Sequence, residues 1–172
     1  MRHSVSYTTR SPRPGDVNGV DYWFVDDGTF DRMIDEKEFL EYALVHGKRY
    51  GTSKKDLEEM LDAGLNVILE IDVQGARHLR ELLDGGVYIF VLPPSVEACR
   101  QRLSARGKDS DEEIEKRLNV ALGEIKEASF YDYIIFNDDV EAAFENLASI
   151  IRAEMCRKER LMERVEELFG RG

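Results

Sequence analysis

The chain has 172 residues, with 35 acidic side chains against 24 Lys and Arg, and a formal net charge of -11. This length suits one domain with a sizeable core, and 42% hydrophobic residues exclude a disordered acidic chain. No run reaches the roughly 18 apolar residues of a membrane span, and the acidic balance argues against a general nucleic-acid binder. Two cysteines without metal-ligand spacing and a polar beginning lead us to expect a cytoplasmic, disulfide-free protein.

Positive charge is concentrated in two segments of this acidic chain. Residues 1–15 contain three arginines and no acid, and residues 99–108 contain four basic side chains and no acid. Two such segments suggest two sites that hold small anions. Ordinary variation of surface charge is the alternative.

The first third of the chain predicts a small lobe with exposed strands. Residues 3–9 and 20–25 have the alternation and composition of strands, and residues 15–19 form a turn region between them. Residues 29–46 carry apolar side chains at helical spacing, so they predict helical pieces. Ser53 is expected to cap a short helix that stops at Gly64. Together these elements predict an antiparallel or mixed lobe.

The remainder predicts a parallel sheet covered by helices. Near-continuous apolar runs at 66–72, 87–92 and 133–136 predict buried strands. Helices are predicted over 76–83, over 95–107, from a capping box at Ser110 and from 141 to the end. Because apolar strands alternate with helices, we expect an α/β fold. Ligands of such sheets bind beyond the carboxyl ends of the strands, where Glu70, Asp72 and Asn137 lie.

Arg10 and Arg13 form the first candidate site. Pro12 and Pro14 favour a polyproline conformation, from which both guanidinium groups would project along one edge. Two planar guanidinium groups suit a single phosphate. The alternative is a proline-rich surface turn with solvated arginines.

Tyrosines and carboxylates form the next candidates. The hydroxyls of Tyr22 and Tyr50 could donate to phosphate, and Glu41 near Thr52 could accept from the N–H groups of guanine. A solvated helix carboxylate is the alternative for Glu41. Alternation along the end of the next strand puts Glu70 and Asp72 on one side, where they could orient hydrated Mg²⁺ or contact a base. The alternative for Asp72 is a helix cap.

A second group of arginines follows the 87–92 strand. Arg102 and Arg106 share a helical face, where their charges repel each other unless an anion lies between them. Arg117 on the next helix could approach the same anion if the loop between the helices closes. Ordinary surface arginines are the alternative.

Several long segments resemble the guanylate kinase family in order and spacing, over about residues 3–152. They are SVSYTTRSPRPGDVNGVDYWFV, EFLEYALVHGKRYGTS, VILEIDVQGAR, IFVLPPS, RLSARG followed by IEKRL, and YDYIIFNDD. The resemblance implies a P-loop nucleoside-monophosphate kinase fold that transfers the γ-phosphoryl group of MgATP to GMP, giving GDP and ADP. It implies a GMP-binding lobe at 3–52, a core at 53–98 and 128–152, a lid at 99–127 and a C-terminal helix at 153–172. No membrane, nucleic acid or obligate protein partner is implied.

The resemblance also assigns expected site residues. Those implied for GMP are Ser6, Arg10, Arg13, Tyr22, Glu41, Tyr50, Thr52, Glu70 and Asp72. Those implied for ATP are Arg102, Arg106, Arg117 and Asn137. Arg10, Arg106 and Arg117 are the implied catalytic residues, and Glu70 is implied to hold Mg²⁺ through water.

The sequence departs from the family at its beginning. Family members begin with a strand, a Gly-rich P-loop and a helix ahead of the SVSYTTR segment, whereas this chain starts at Met1 and has no GxxxxGK(S/T) sequence. We therefore expect a truncated chain that lacks the phosphate cradle and is impaired in activity. The alternatives are a P-loop-less binding module for GMP or a phosphorylated peptide, and an inactive fragment.

Overall fold

The computed structural model describes residues 1–45, 47–83, 85–105 and 110–170. They belong to two compact units, Met1–Gly86 and Val87–Gly172. The elements of the first unit are β1 (Arg2–His3), β2 (Tyr7–Thr8), β3 (Trp23–Phe24), α1 (Asp27–Asp35), β4 (Phe39–Val45), β5 (Lys48–Ser53), α2 (Lys54–Asp62), β6 (Val67–Ile68) and α3 (Val73–Leu82).

A mixed sheet in the order β3-β2-β5-β4 forms the centre of the first unit. β2 runs parallel to β3 and antiparallel to β5, and β4 and β5 form an antiparallel hairpin. A separate parallel pair joins β1 to β6. The predicted α/β class and mixed lobe are confirmed, although the strands predicted at 3–9 and 66–72 are shorter than expected.

Aromatic and aliphatic side chains fill the core of this unit. Phe30 is fully buried on α1 and lies 4.5 Å from the ring of Phe39. The turn before β3 packs against Trp23, because Gly19 has a φ of +77° and a Cβ there would lie 2.7 Å from the indole ring. Only glycine fits both the backbone conformation and the space at this position.

The helical prediction for residues 29–46 is wrong over its second half. α1 ends at Asp35, and residues 39–45 form strand β4. Within β4 the burial alternates, since Glu41 and Ala43 are buried whereas Tyr42 and Leu44 are exposed. The alternation is not visible in the sequence, because the inward position 41 holds a carboxylate and the outward positions 42 and 44 hold large apolar side chains.

The second unit contains a parallel strand pair and helices. Its elements are β7 (Ile89–Leu92), α4 (Val96–Ala105), α5 (Asp111–Ile125), a 3-10 helix (Lys126–Phe130), β8 (Tyr133–Phe136), α6 (Val140–Met155) and α7 (Lys158–Phe169). β7 pairs with β8 in register from Ile89 opposite Tyr133. Its buried apolar residues include Leu92, Ile114, Leu118 and Ile135.

Local sequence signals place the helix ends of the second unit. The predicted capping box at the start of α5 is present, with Ser110 and Glu113 each bonded to the other's backbone N–H. The continuous helix predicted from residue 141 is broken, because Arg157 adopts a ψ of 140° between α6 and α7. Buried Glu154 accepts hydrogen bonds from Tyr133 Oη and, at 2.8 Å, from Arg157 Nε. Among the described residues, no helix is long and apolar enough to cross a membrane.

Candidate functional site

Arg10 lies two residues beyond β2, and its side chain is 12% exposed. Its Nη2 donates to Asp16 Oδ2 at 2.8 Å, and its Nη1 donates to the carbonyl of Ser11 at 3.0 Å. The guanidinium lies over the rings of Tyr22 and Phe24, with centroid distances of 5.2 and 5.5 Å. Contacts on several sides therefore hold this cation in one orientation before any anion binds.

Asp16 joins the two arginines of the first predicted site. The Oδ2 atom that accepts from Arg10 also accepts from the backbone N–H of Arg13 at 2.7 Å. The Arg13 N–H and the Arg10 guanidinium hold the pKa of the Asp16 carboxyl below its usual value. Sequence reasoning missed Asp16. The signal that could have found it is an acid that follows two arginines in a proline-rich loop.

Tyr22 and Tyr50 lie edge to face, with ring centroids 5.8 Å apart. Burial raises the pKa of Tyr22, and the negative charge of Glu70 raises it further, while Arg10 and Arg13 oppose the shift. The Tyr22 hydroxyl consequently remains a proton donor at neutral pH. These five predicted residues therefore share one electrostatic environment in the first unit.

A set of side-chain to backbone hydrogen bonds fixes the strand that carries Tyr50. Thr8 Oγ1 donates to the carbonyl of Arg49 at 2.9 Å, and Thr9 Oγ1 accepts from the Arg49 N–H at 3.1 Å. The Arg49 guanidinium in turn pairs with Asp27 at 2.6 Å, which ties β5 to the start of α1. These positioning residues were also missed, because the bonds join segments about 40 residues apart and depend on strand topology.

Glu41 is 6% exposed and accepts a hydrogen bond from Thr52, its partner across the β4–β5 ladder. A Cβ at Gly75 would lie 2.6 Å from Glu41 Oε2, so the start of α3 closes directly over the carboxylate. Burial raises the pKa of Glu41, and the charge of Asp72 adds to that shift, whereas Thr52 and His78 oppose it. The interpretation of Glu41 as a solvated helix carboxylate is wrong.

Asp72 lies beside this carboxylate and caps α3. Its Oδ1 accepts from the Gly75 N–H at 2.8 Å, and the same oxygen would lie 3.4 Å from a Cβ at Gly75. The capping role considered from the sequence is therefore present. The structure brings Glu41, Thr52 and Asp72 together around the start of α3.

Ser6 and Glu70 occupy less enclosed positions in the first unit. The carbonyl of Ser6 accepts from the Trp23 N–H at 2.9 Å, which places Ser6 at the entry to β2. The Glu70 side chain is 87% exposed, and its Oε2 lies 3.9 Å from His3 Nε2. The described residues contain no group of three or more His, Cys, Asp or Glu side chains that could hold a metal ion.

The residues predicted for ATP belong to the second unit. Arg102 on α4 donates from Nη2 to the carbonyl of Asn137 at 2.6 Å, which joins α4 to the end of β8. Arg117 is half-buried on α5, which pairs with α4 through Arg100 and Glu115. Arg106 lies outside the described residues. The structure thus brings Arg102 and Asn137 together.

The first unit of this α/β protein combines arginines and tyrosines, which suit an anionic group, with a buried carboxylate, which suits the N–H donors of a polar ring. The sequence profile of the guanylate kinase family matches residues 1–154. A guanylate kinase of Geobacter sulfurreducens is 57% identical over 99% of this chain and 84% of its own length. One of Geobacter metallireducens is 53% identical over 100% of this chain and 85% of its own. The chain belongs to the guanylate kinase family.

A solved structure supports the same conclusion at the level of the fold. The crystal structure of guanylate kinase from Anaplasma phagocytophilum is similar to this chain with a TM-score of 0.82 and 37% identity. The similarity covers 99% of this chain and 86% of that one.

Proposed function

We propose that the protein is an ATP:GMP phosphotransferase, which transfers the γ-phosphoryl group of MgATP to GMP and yields ADP and GDP. The family membership supports this activity. The observation that carries the substrate assignment is a buried carboxylate, Glu41, in the same unit as the cluster of Arg10, Tyr22 and Tyr50.

The phosphate of GMP is proposed to bind Arg10, Arg13, Tyr22 and Tyr50. Arg10 and Arg13 supply positive charge, and the two tyrosines supply neutral O–H donors. Because Asp16 already holds Arg10, binding requires little further ordering of that side chain. Ser6 is proposed to contact the guanine of the same nucleotide through its hydroxyl.

The guanine ring is proposed to bind Glu41, Thr52 and Asp72. Guanine presents a ring N–H and an amino group on one edge, and carboxylate oxygens accept from both. Adenine presents a ring acceptor at the position of that N–H, so a buried carboxylate there would be left unpaired and would disfavour AMP.

The ATP phosphates are proposed to contact Arg102, Arg106 and Arg117, with Asn137 on the adenine side. Charge neutralisation and positioning dominate phosphoryl transfer, so arginines that reach the transferred group are assigned a catalytic role. These are Arg10 for GMP, and Arg106 and Arg117 for ATP. The segment 99–127, which includes most of α4 and all of α5, is the proposed lid. Mg²⁺ arrives with ATP as part of the substrate, and Glu70 is proposed to contact its water shell.

Direct binding measurements with the purified chain test the substrate assignment. Calorimetric titrations with GMP, AMP and a phosphoserine peptide are compared at one salt concentration. We expect GMP to bind at least about tenfold more tightly than AMP, and the peptide to bind more weakly than GMP. Formation of GDP from GMP and MgATP by the same purified chain tests the reaction itself.

A phosphopeptide-binding module is the second candidate function, because the Arg10–Arg13–Tyr22–Tyr50 cluster alone would suit any phosphate. The binding data separate the two functions, since a phosphopeptide has no counterpart of the guanine edge. Equal affinity for GMP and AMP, together with tighter binding of the peptide, would overturn the kinase assignment.

A further inference from the structure

α7 carries an apolar face that the rest of the described chain leaves uncovered. Five large apolar side chains lie on this helix and are between 38% and 81% exposed: Leu161, Met162, Val165, Leu168 and Phe169. At about 100° per residue they occupy roughly a third of the helix circumference, and we call this face the α7 stripe. The family profile ends at residue 154, whereas the similarity to the Geobacter proteins continues through α7.

A helix of this size needs a partner surface. α7 has 12 residues, and each of them is exposed. Isolated helices shorter than about 12–15 residues are marginal in water, since most helical stability in proteins comes from packing of the apolar face. Covering the stripe would therefore stabilise α7.

The charges of α7 indicate what covers the stripe. Residues 158–160, at the start of α7, contain two basic side chains and one acid, whereas residues 163–167 contain three acids and one basic side chain. This distribution opposes the helix dipole, which favours acids at the N-terminus and bases at the C-terminus. The segregation is therefore unfavourable for α7 by itself. It becomes favourable when a second α7 lies antiparallel, because each basic end then faces an acidic end.

We propose that α7 is a self-association surface, on which the stripe of one chain packs antiparallel against the stripe of a second copy. Arg160 and Glu167 lie seven residues apart, or about two turns, on the same side of the helix. Antiparallel pairing brings Arg160 of each copy towards Glu167 of the other. α7 carries three basic and four acidic side chains, so it lacks the Lys- and Arg-rich polar face of helices that bind the other common partner, an anionic membrane surface.

The proposed contact is small, and its strength follows from its size. Twelve residues span about 18 Å, so the buried area falls in the range of weak, transient interfaces. We expect a monomer–dimer equilibrium with a dissociation constant of about 10–100 µM, and not a permanent dimer.

Sedimentation velocity of the full chain from about 1 to about 300 µM tests self-association. The mean mass should rise with concentration from 19.8 kDa towards twice that value. Val165→Glu should keep the chain monomeric throughout. Phe144→Glu is the matched control, because Phe144 on α6 is 69% exposed and lies outside the stripe. This control should associate like the parent chain, and circular dichroism should show that both variants fold.

Charge reversal tests the orientation. Arg160→Glu and Glu167→Arg should each weaken association about tenfold, and the double variant should restore it. Each reversal also improves the match to the helix dipole, so the helical content should not fall. Loss of association with preserved helicity thus separates a lost interface from a lost helix.

A mass of 19.8 kDa at every concentration would overturn the proposal. Equal association of the Val165→Glu variant and the parent chain would also overturn it, as would a double variant that associates no more tightly than either single variant. Sedimentation of the monomeric chain with anionic phosphatidylserine vesicles, lost in Val165→Glu, would assign the stripe to a membrane surface instead.

Discussion

Arg10 is the side chain on which the proposed phosphate site depends most, because Asp16, Ser11 and two aromatic rings already orient it. Arg10→Ala should weaken GMP binding about 10–100-fold, the value of a charged hydrogen bond of about 1.5–3 kcal/mol. Arg10→Lys should recover only part of this loss, since an ammonium cannot reproduce the planar fork of donors. Titration calorimetry measures both variants, and unchanged GMP affinity in Arg10→Ala would remove Arg10 from the site.

Asp16 sets the position of both arginines through one oxygen atom. Asp16→Asn should weaken GMP binding several-fold, because Arg10 loses its charged partner and the Arg13 loop loses its anchor. Asp21→Asn is the matched control, since Asp21 bonds the backbone of the same loop at Val17 without touching either arginine. Tighter GMP binding by Asp16→Asn would show that Asp16 competes with the phosphate and does not position the arginines.

Glu41 should control the choice of base. Glu41→Gln keeps the size of the side chain but replaces one acceptor oxygen with an N–H₂ donor, which would oppose the donors of guanine. The preference for GMP over AMP should fall to within about tenfold, and the loss should appear in GMP affinity while AMP affinity changes little. A preference that remains at the parent value in competition titrations would exclude Glu41 from base recognition.

The same substitution should stabilise the fold. Burial raises the pKa of Glu41 in the native state. Between the unfolded-state pKa and the folded-state pKa of this group, the native state therefore binds more protons than the unfolded state. The Glu41 contribution to stability consequently falls as pH rises through that window. Removal of the buried charge should raise the free energy of unfolding at pH 7 by about 1 kcal/mol, a gain typical of a single stabilising substitution. Urea denaturation at pH 7 checks the sign.

At the level of elements, the contact between α3 and β4 shapes the base site through Gly75. A Cβ at Gly75 would lie 2.6 Å from Glu41 Oε2, so Gly75→Ala should displace the carboxylate or α3 and cost about 1–3 kcal/mol. Gly123→Ala on α5 is the matched control, because a Cβ there meets nothing within 4 Å. It should stabilise its helix by about 0.5–1 kcal/mol. Equal thermal stability of the two variants would contradict the close contact.

The elements that could be predicted are those with a sequence signal in neighbouring residues. Strand β8 coincides with the apolar run at 133–136, and α5 begins at the predicted capping box, because each depends on neighbouring residues alone. Strand β5 was not predicted, since KRYGTS has no apolar alternation. Its buried Thr52 is accommodated by a hydrogen bond to Glu41, and such a bond follows only from the pairing of two strands.

The candidate site divides in the same way. Arginines, tyrosines and acids in recognisable motifs could be named from the sequence, and the structure brings most of those in the first unit together. The residues that orient them, Asp16, Thr8 and Thr9, could not be named. Their role depends on which backbone groups lie next to them in the folded chain. The spacing of residues in the sequence does not specify those neighbours.

For the whole molecule, the acidic composition predicts how stability responds to pH. Several carboxyl groups have a pKa below the usual value, each because of a specific partner: Asp16 through Arg13, Asp26 through Thr29, Glu113 through Ser110 and Glu115 through Arg100. A carboxyl group with a lowered pKa binds fewer protons in the native state than in the unfolded state. Its contribution to stability is therefore complete above the unfolded-state pKa and is lost as pH falls through the folded-state pKa.

The charge balance acts in the same direction at low pH. Once the carboxyl groups are protonated, the 24 Lys and Arg side chains remain positive and the 3 His side chains become positive. The net charge then changes from -11 to strongly positive, and the chain repels itself. We expect the urea midpoint of unfolding to be highest between about pH 5 and pH 8 and to fall steadily below about pH 4. Glu113→Gln, which removes the capping carboxylate, should flatten this acid limb. A midpoint that rises below about pH 4 would contradict the assigned signs.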